Sequence, residues 1–237
     1  MKTRLFEIFT SIEGEGILYG TKTLFIRFAG CPFSCFYCDT PDALPSDSGK
    51  EYSISEACNL IDKNLQNNTY KVNFTGGEPL VQHESVNELA KYIKSKGIFT
   101  YLESSCFDSQ KFSYVLPSID LVKIEFKTKD SEMVDTKHYT DLIKNTLECL
   151  DASIKMKKIT YIKIVVSSKT ELDNLKTLSE QIFKIASRET ISGFIIQPTY
   201  GISEPSLEKL LEFYDLVYPY YRDVRVIPQL QKIIDVP

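Results

Sequence analysis

The chain has 237 residues, 43% hydrophobic and 25% charged, a composition that suits a soluble globular protein with one sizeable core and excludes a disordered or fibrous chain. Its formal charge of -4, with Lys and Arg scattered rather than clustered, leaves no electrostatic footprint for nucleic acid, so no direct nucleic-acid partner is expected. The start Met-Lys-Thr-Arg-Leu-Phe-Glu lacks an apolar signal core and no later run is long and apolar enough for a bilayer, so a cytoplasmic protein without membrane contact is expected, its six cysteines reduced.

Short runs of β-branched and aromatic residues alternate with stretches of helical periodicity, the pattern of a parallel sheet with crossover helices. An N-terminal strand over Arg4–Phe9 is expected at a sheet edge, followed by strands at Thr23–Phe28, Lys71–Phe74, Phe99–Glu103, Leu121–Phe126, Tyr161–Val166, Phe194–Gln197 and Val224–Ile227. Helices are expected near Ile54–Gln66, Ser85–Lys96, Tyr139–Leu150, Glu171–Ala186 and Ser206–Val217. Ser53 and Glu56 form a capping box for the first, and Gly97 stops the second. Pro41–Lys50 reads as a polar connection. The strands fall short of a closed eight-stranded barrel. The fold class is therefore α/β, a partial (β/α)6-type barrel with an extra N-terminal edge strand, in a single domain over residues 1–237. In such folds the site forms where strands have just ended.

Cys31, Cys35 and Cys38 stand in the run Cys-Pro-Phe-Ser-Cys-Phe-Tyr-Cys-Asp-Thr, directly after the strand Thr23–Phe28. Three thiolates on one loop can hold three corners of a cubic iron–sulfur cluster and leave the fourth iron open to a ligand. Ala29-Gly30 lets the backbone turn toward it, and Pro32, Phe33, Phe36 and Tyr37 would wall it from water. The bland alternative is a zinc site completed by a distant Cys58, Cys106 or Cys149, but closed zinc sites usually come as two ligand pairs. Cys58 and Cys149 sit in helical stretches, where a buried inert thiol is expected, and packing is also the favoured reading for Cys106.

With this loop the chain resembles the radical S-adenosylmethionine (SAM) enzymes. The resemblance implies a 4Fe-4S cluster on the three cysteines, SAM on its open iron, and Tyr37 against the adenine, with Asp39 among the SAM-binding residues. Thr75-Gly76-Gly77-Glu78-Pro79, after the next strand, matches the superfamily motif that contacts the amino group of SAM, here Gly76, Gly77 and Glu78. Two successive glycines also let a backbone approach a ligand closely. Ser104, Glu125, Lys127 and Gln197 lie at further strand ends. The first three suit the ribose and carboxylate of SAM, and the amide suits the adenine edge. Lys163, inside a strand, reads as structural.

On the substrate side stand Phe9-Thr-Ser-Ile-Glu-Gly-Glu-Gly-Ile before the cluster loop, Arg27 on the strand between, and Asp39-Thr40 after it. Carboxylates and bare backbone groups at Glu13, Gly14, Glu15 and Gly16 suit a donor-rich, guanidine-like heterocycle edge, and Arg27 offers a fork for a carboxylate. Together with the terminal Val-Ile-Pro-Gln-Leu-Gln-Lys-Ile-Ile-Asp-Val-Pro, these residues make the chain similar to the 7-carboxy-7-deazaguanine synthase family along its whole length.

That resemblance implies conversion of a small pterin, 6-carboxy-5,6,7,8-tetrahydropterin, to 7-carboxy-7-deazaguanine with loss of ammonia, on the path to queuosine and archaeosine. A 5′-deoxyadenosyl radical from SAM would take a hydrogen from C6 of the pterin and later receive it back. The resemblance assigns Mg2+ to Thr40 and the pterin to the backbone of Ile12, Glu13 and Gly14, to Arg27 and Thr75, and to Pro237 at the chain end. Leu230, Ile233 and Ile234 would tie that tail down. It also implies a homodimer and an electron donor such as flavodoxin or ferredoxin. The chain departs from the family's expected Gln at Glu13 and His at Gln231. The readings to be separated from it are a glycyl-radical-enzyme activating enzyme with the same cluster, and a non-catalytic iron–sulfur or zinc module.

Overall fold

Alternation along the strands decides how this chain folds. The computed structural model describes residues 1–131 and 136–236, and in them nine strands form one sheet in the order β3-β1-β2-β4-β5-β6-β7-β8-β9. β1 (Lys2–Ile12) runs antiparallel to both β2 (Lys22–Phe28) and β3 (Lys50–Ser53). From β2 the sheet continues in parallel through β4 (Lys71–Gly76), β5 (Phe99–Ser104), β6 (Leu121–Phe126), β7 (Ile159–Val166), β8 (Gly193–Pro198) and β9 (Val224–Val226). The sheet has two free edges, so the barrel is partial, as expected.

Successive residues of a strand face opposite sides of the sheet. On one side Leu24, Ile26, Phe28, Val72, Phe74, Leu102, Ile124, Phe126, Ile164 and Ile196 join one apolar core with the helices. On the other side the alternate positions are Arg27, Asn73, Thr75, Glu103, Lys123, Glu125, Lys163 and Gln197, and many of these polar groups are also buried. A smaller apolar cluster of Tyr101, Leu121, Tyr161 and Ile195, with Ile17 and Leu18 packed against it, closes the floor of this inner side. The concave face is thus apolar at the bottom and charged toward the strands' C-terminal ends.

The helices that cover the outer face are α1 (Ile54–Asn64), α2 (His83–Ser95), α3 (Ser109–Val115), α4 (Thr136–Lys155), α5 (Leu172–Ile182) and α6 (Leu207–Val217), with a last turn α7 (Leu230–Ile233). The Ser53/Glu56 capping box opens α1 in both its bonds, and Gly97, at φ +73°, follows the end of α2. Three features differ from the sequence reading. β1, expected at the sheet edge, lies one strand in, because β3 pairs along its outer side. The end of the stretch read as a polar connection runs into β3, because Thr3 and Leu5 of β1 present a free edge to Tyr52 and Lys50. The seven-residue α3 is too short for its periodicity to stand out and is set by Asp108, whose carboxylate accepts from the Gln110 and Lys111 amides. Among the described residues no helix is long and apolar enough to cross a membrane.

Candidate active site

The loops leaving β2, β4, β5, β6 and β8 converge with the β1–β2 loop and the C-terminal segment on one cavity of about 410 Å3, within the range of small-molecule sites. Gly30, at φ +95°, turns the chain out of β2, and its amide and that of Cys31 donate to the carbonyls of Ala43 (2.9 Å) and Leu44 (3.0 Å). The cysteine loop closes on itself through the Cys38 amide and the Cys35 carbonyl, 3.0 Å apart, and rests on the Ser131 carbonyl through the Phe36 amide. Cys31, Cys35 and Cys38 all line the cavity, half-buried. Phe33 meets Phe107 edge-on, and Phe36 meets Tyr37 likewise.

Burial pushes the Cys31 thiol up to about 12 and that of Cys35 in the same direction. Thiols so placed become thiolates when a cation sits on them, which is what the irons of a cluster provide. Among the described residues no fourth Cys or His lines the cavity. Cys106 and Cys149 are buried in the core, where the Cys149 thiol donates to the Cys106 carbonyl, and Cys58 packs on the core from α1. The donor set therefore fits a three-thiolate cluster and not the zinc alternative.

Behind this loop Gly76, at φ +130°, has backbone that a side chain would clash with: an added Cβ would lie 2.4 Å from the Phe28 amide nitrogen and carbonyl oxygen. At Gly77 it would lie 2.4 Å from the Gly30 carbonyl oxygen. The room these glycines leave is thus filled by β2 and its exit turn, and the two strand ends are locked together. The Glu78 carboxylate accepts from the Leu80 amide (3.0 Å), the Ser104 hydroxyl (2.8 Å), and the Ser105 amide (2.8 Å) and hydroxyl (2.7 Å). Glu78 is therefore a strut between the loops after β4 and β5. Ser104 also lines the cavity, but its hydroxyl is committed to Glu78 and to the Cys106 amide.

The far wall is a ladder of alternating charge. Register sets Glu103 beside Lys123, and Glu125 beside Lys163. Lys123 lies 2.8 Å from Glu125 and 3.8 Å from Glu103, Lys163 lies 3.2 Å from Glu125, and Lys127 also donates to Glu125. Burial opposes ionisation of Glu125, but Lys123, Lys127 and Lys163 outweigh it and hold the carboxyl far below its usual range. Burial likewise opposes the charge on Lys127, and Glu125 more than offsets it. Lys127 sits 5.3 Å over the Tyr37 ring and 3.5 Å from its hydroxyl, joining the wall to the cysteine loop.

Above the ladder, Glu15 gathers four donors. Lys163 reaches one carboxylate oxygen at 2.6 Å, and the amides of Gln197 (3.1 Å), Gln229 (3.0 Å) and Gln231 (3.1 Å) reach the other. Burial works against ionisation here too, yet Lys163 and Lys123 bring the Glu15 carboxyl down to about 2. Because an ionised carboxylate only accepts, the amides must turn their nitrogens to it. That leaves the carbonyl oxygens of Gln197 and Gln231 buried without a partner, acceptors that suit a guest rich in N–H groups.

Ile12, Glu13, Gly14, Arg27, Thr75, Asp39 and Thr40 line the same cavity. Arg27 is oriented by Glu7, which takes its Nε–H at 2.7 Å, so the two terminal nitrogens of the fork stay available. The Gly14 carbonyl accepts from the Leu230 amide at 3.0 Å, and an added Cβ at Gly14 would lie 1.9 Å from Gln231 Oε1. The tail is thus held by Leu230's backbone and by Gln229 and Gln231. Ile233 and Ile234, expected to tie it down, are 58% and 46% exposed. Pro237 lies outside the described residues.

Sequence reasoning set Lys163 aside as structural and passed over Lys123, Gln229 and the hub role of Glu15. A signal was present: Lys123 and Glu125 stand two apart in a strand that is otherwise apolar, which puts both charges on one face of a covered sheet, and Lys127 continues the spacing just past its end.

Three cysteines on a partial barrel, with no fourth protein ligand among the described cavity residues, define an iron–sulfur enzyme of the radical SAM class. Residues 12–149 match the family model of the 4Fe-4S single cluster domain. The chain is 31% identical over 242 residues to the 7-carboxy-7-deazaguanine synthase of Methanocaldococcus jannaschii, covering 96% of this chain and 98% of the relative. It is 30% identical to that of Archaeoglobus fulgidus, covering 100% of both. The crystal structure of QueE from Escherichia coli shares the fold, with a TM-score of 0.66 at 17% identity over 97% of this chain and 95% of that one. The chain belongs to the 7-carboxy-7-deazaguanine synthase family.

Proposed function

We propose that this chain contracts the ring of 6-carboxy-5,6,7,8-tetrahydropterin to 7-carboxy-7-deazaguanine with release of ammonia. One observation carries the reading: the cysteine loop and the Glu13–Gly16 loop, which sequence reasoning assigned to cofactor and substrate separately, are walls of one cavity. Family membership at nearly full length favours this over a glycyl-radical-enzyme activase. When bound, the cluster and SAM supply the one-electron chemistry that removes and returns a hydrogen atom.

The protein's own part is to hold and enclose. Cys31, Cys35 and Cys38 would carry the cluster, and Tyr37 and Phe33 keep water from it. Gly76, Gly77 and Glu78 shape the SAM loop, with Asp39, Ser104, Glu125, Lys127 and Gln197 around it. Arg27, pre-set by Glu7, would take the substrate carboxylate, because a fork whose Nε is already bonded loses little freedom on binding. The backbone of Ile12–Gly14, Thr75 and the terminal Pro237 would frame the pterin ring. Thr40 would contribute a hydroxyl to Mg2+, a hard cation that substrate oxygens and waters complete.

The same reading extends to residues 1–237 as a single radical SAM domain, to a cytoplasmic homodimer reduced by a flavodoxin- or ferredoxin-type donor, and to a product used in queuosine or archaeosine biosynthesis. The test is anaerobic reconstitution followed by turnover with the carboxytetrahydropterin, SAM, Mg2+ and a chemical reductant. Product and ammonia at many turnovers per SAM are expected. Cleavage of SAM with the pterin left unchanged would point instead to a different substrate such as a protein.

A further inference from the structure

Glu13, where the family's expected residue is Gln, does not stand alone. Its carboxylate receives Lys71 Nζ at 2.6 Å. Lys71 opens β4, does not line the cavity, and is fully buried. The same ammonium donates to Thr23 Oγ1 at 2.6 Å, lies 3.4 Å from Thr21 Oγ1, and sits 5.2 Å over the Tyr101 ring. The backbone of Glu13 is held by the other strand of the hairpin: its amide donates to the Thr21 carbonyl at 2.8 Å, and its carbonyl accepts from Gly20 at 2.7 Å. Asn73, also fully buried, reaches the same carboxylate oxygen at 3.4 Å.

The two charges need each other. Among the ion pairs of the described residues, Lys71 has Glu13 alone as its acidic partner within 4.0 Å, so removing either strands the other in a dry place. Burial, helped by Glu103, pushes the Glu13 carboxyl up to about 7 against the pull of Lys71, and burial lowers Lys71. A neutral Gln at 13 would ask for no cation, whereas a Glu there requires one.

We propose that Lys71 is a positioning residue: by anchoring the Glu13 side chain beneath the cavity it fixes the Ile12–Gly14 backbone at the height where substrate is read. This rests on the substrate role proposed above for that segment. Among the described residues the hydrogen bonds and ion pair of Lys71 go to Glu13, Thr21 and Thr23, and none goes to the cysteine loop or the Gly76–Glu78 turn, so the effect falls on the pterin and not on SAM.

The experiment compares wild type, Glu13→Gln, Lys71→Met and the double variant as reconstituted full-length enzyme. It reads the KM for 6-carboxytetrahydropterin, kcat, and SAM affinity by calorimetry. Lys71→Met should raise the pterin KM by about tenfold or more with SAM affinity within about threefold of wild type. Adding Glu13→Gln should bring the KM back toward that of wild type, below that of either single variant, because only the double variant buries no unpaired charge. Additive losses, or equal losses of SAM and pterin binding, would overturn the proposal. If Lys71→Met does not fold, a soluble, active double variant supports the pairing and an equally insoluble one refutes it. Wild-type turnover is the control: its absence removes the functional reading and this inference with it, while its presence with additive losses removes the inference alone.

Discussion

Lys163 donates to Glu15 across 2.6 Å, joining the inner face of β7 to the loop that follows β1, 148 positions earlier. Only 5% of the lysine side chain is exposed, and its second partner, Glu125, lies at 3.2 Å, so one ammonium ties the charged ladder to the cover of the cavity. Lys163→Met takes from Glu15 its one ion-pair partner among the described residues, while Glu125 keeps Lys123 and Lys127. We expect a loss of roughly 3–5 kcal/mol in chemical denaturation and loss of SAM-dependent turnover. A variant as stable and active as wild type would mean the ladder is dispensable.

Glu15 gives a pH signature. Its carboxyl is lowered from 4.5 to about 2 in the folded chain, so its contribution is present in full above the unfolded value of 4.5 and is lost as pH falls toward 2. The span corresponds to on the order of 3 kcal/mol at neutral pH. Glu15→Gln should therefore be less stable than wild type at pH 7, with the gap closing as both are titrated from pH 5 to pH 2. A gap that stays constant over that range would assign the loss to packing and not to the charge.

Gly77→Ala places a Cβ 2.4 Å from the Gly30 carbonyl oxygen, a backbone atom that cannot swing aside. Relief requires the exit turn of β2 to move, and that turn carries Cys31 one residue on. A cost of about 1–3 kcal/mol is expected, with weaker SAM binding and lower iron content after reconstitution. Gly20→Ala, where an added Cβ meets nothing within 4 Å, is the control: only its φ of +83° is strained, it precedes β2 whereas the cysteine loop follows the other end of that strand, and iron content should be unchanged.

Replacing the cysteines separates cluster ligands from packing. Cys31→Ser, Cys35→Ser and Cys38→Ser should each abolish the iron–sulfur absorption and SAM cleavage. Cys149→Ser buries a hydroxyl in an apolar core, so about 1–3 kcal/mol of stability is lost while iron per chain is retained. Iron retained by Cys35→Ser, or lost by Cys149→Ser, would contradict the assignment.

Much of the scaffold was readable along the chain. Runs such as Thr23–Phe28 and Tyr161–Val166 are strands because their alternate residues must enter an apolar core, and that demand is written locally. The Ser53/Glu56 cap spans four residues and the cysteine loop eight, so covalent geometry alone brings their partners near. β3 and α3 escaped notice because one is decided by the edge of a strand near residue 5 and the other by a single capping carboxylate.

The sequence by itself pointed to the class of chemistry, since three thiols at C-x3-C-x2-C spacing suit three corners of a cluster, but only the fold placed Cys58, Cys106 and Cys149 away from the fourth. Tertiary structure alone decided which charges meet. Lys71 finds Glu13 across 58 positions and Lys163 finds Glu15 across 148, because strand register and barrel curvature, which no local pattern encodes, bring them face to face. A buried charge is tolerated only beside its opposite. Whether a lysine in a strand is an anchor or a mere solvated residue is therefore settled in three dimensions.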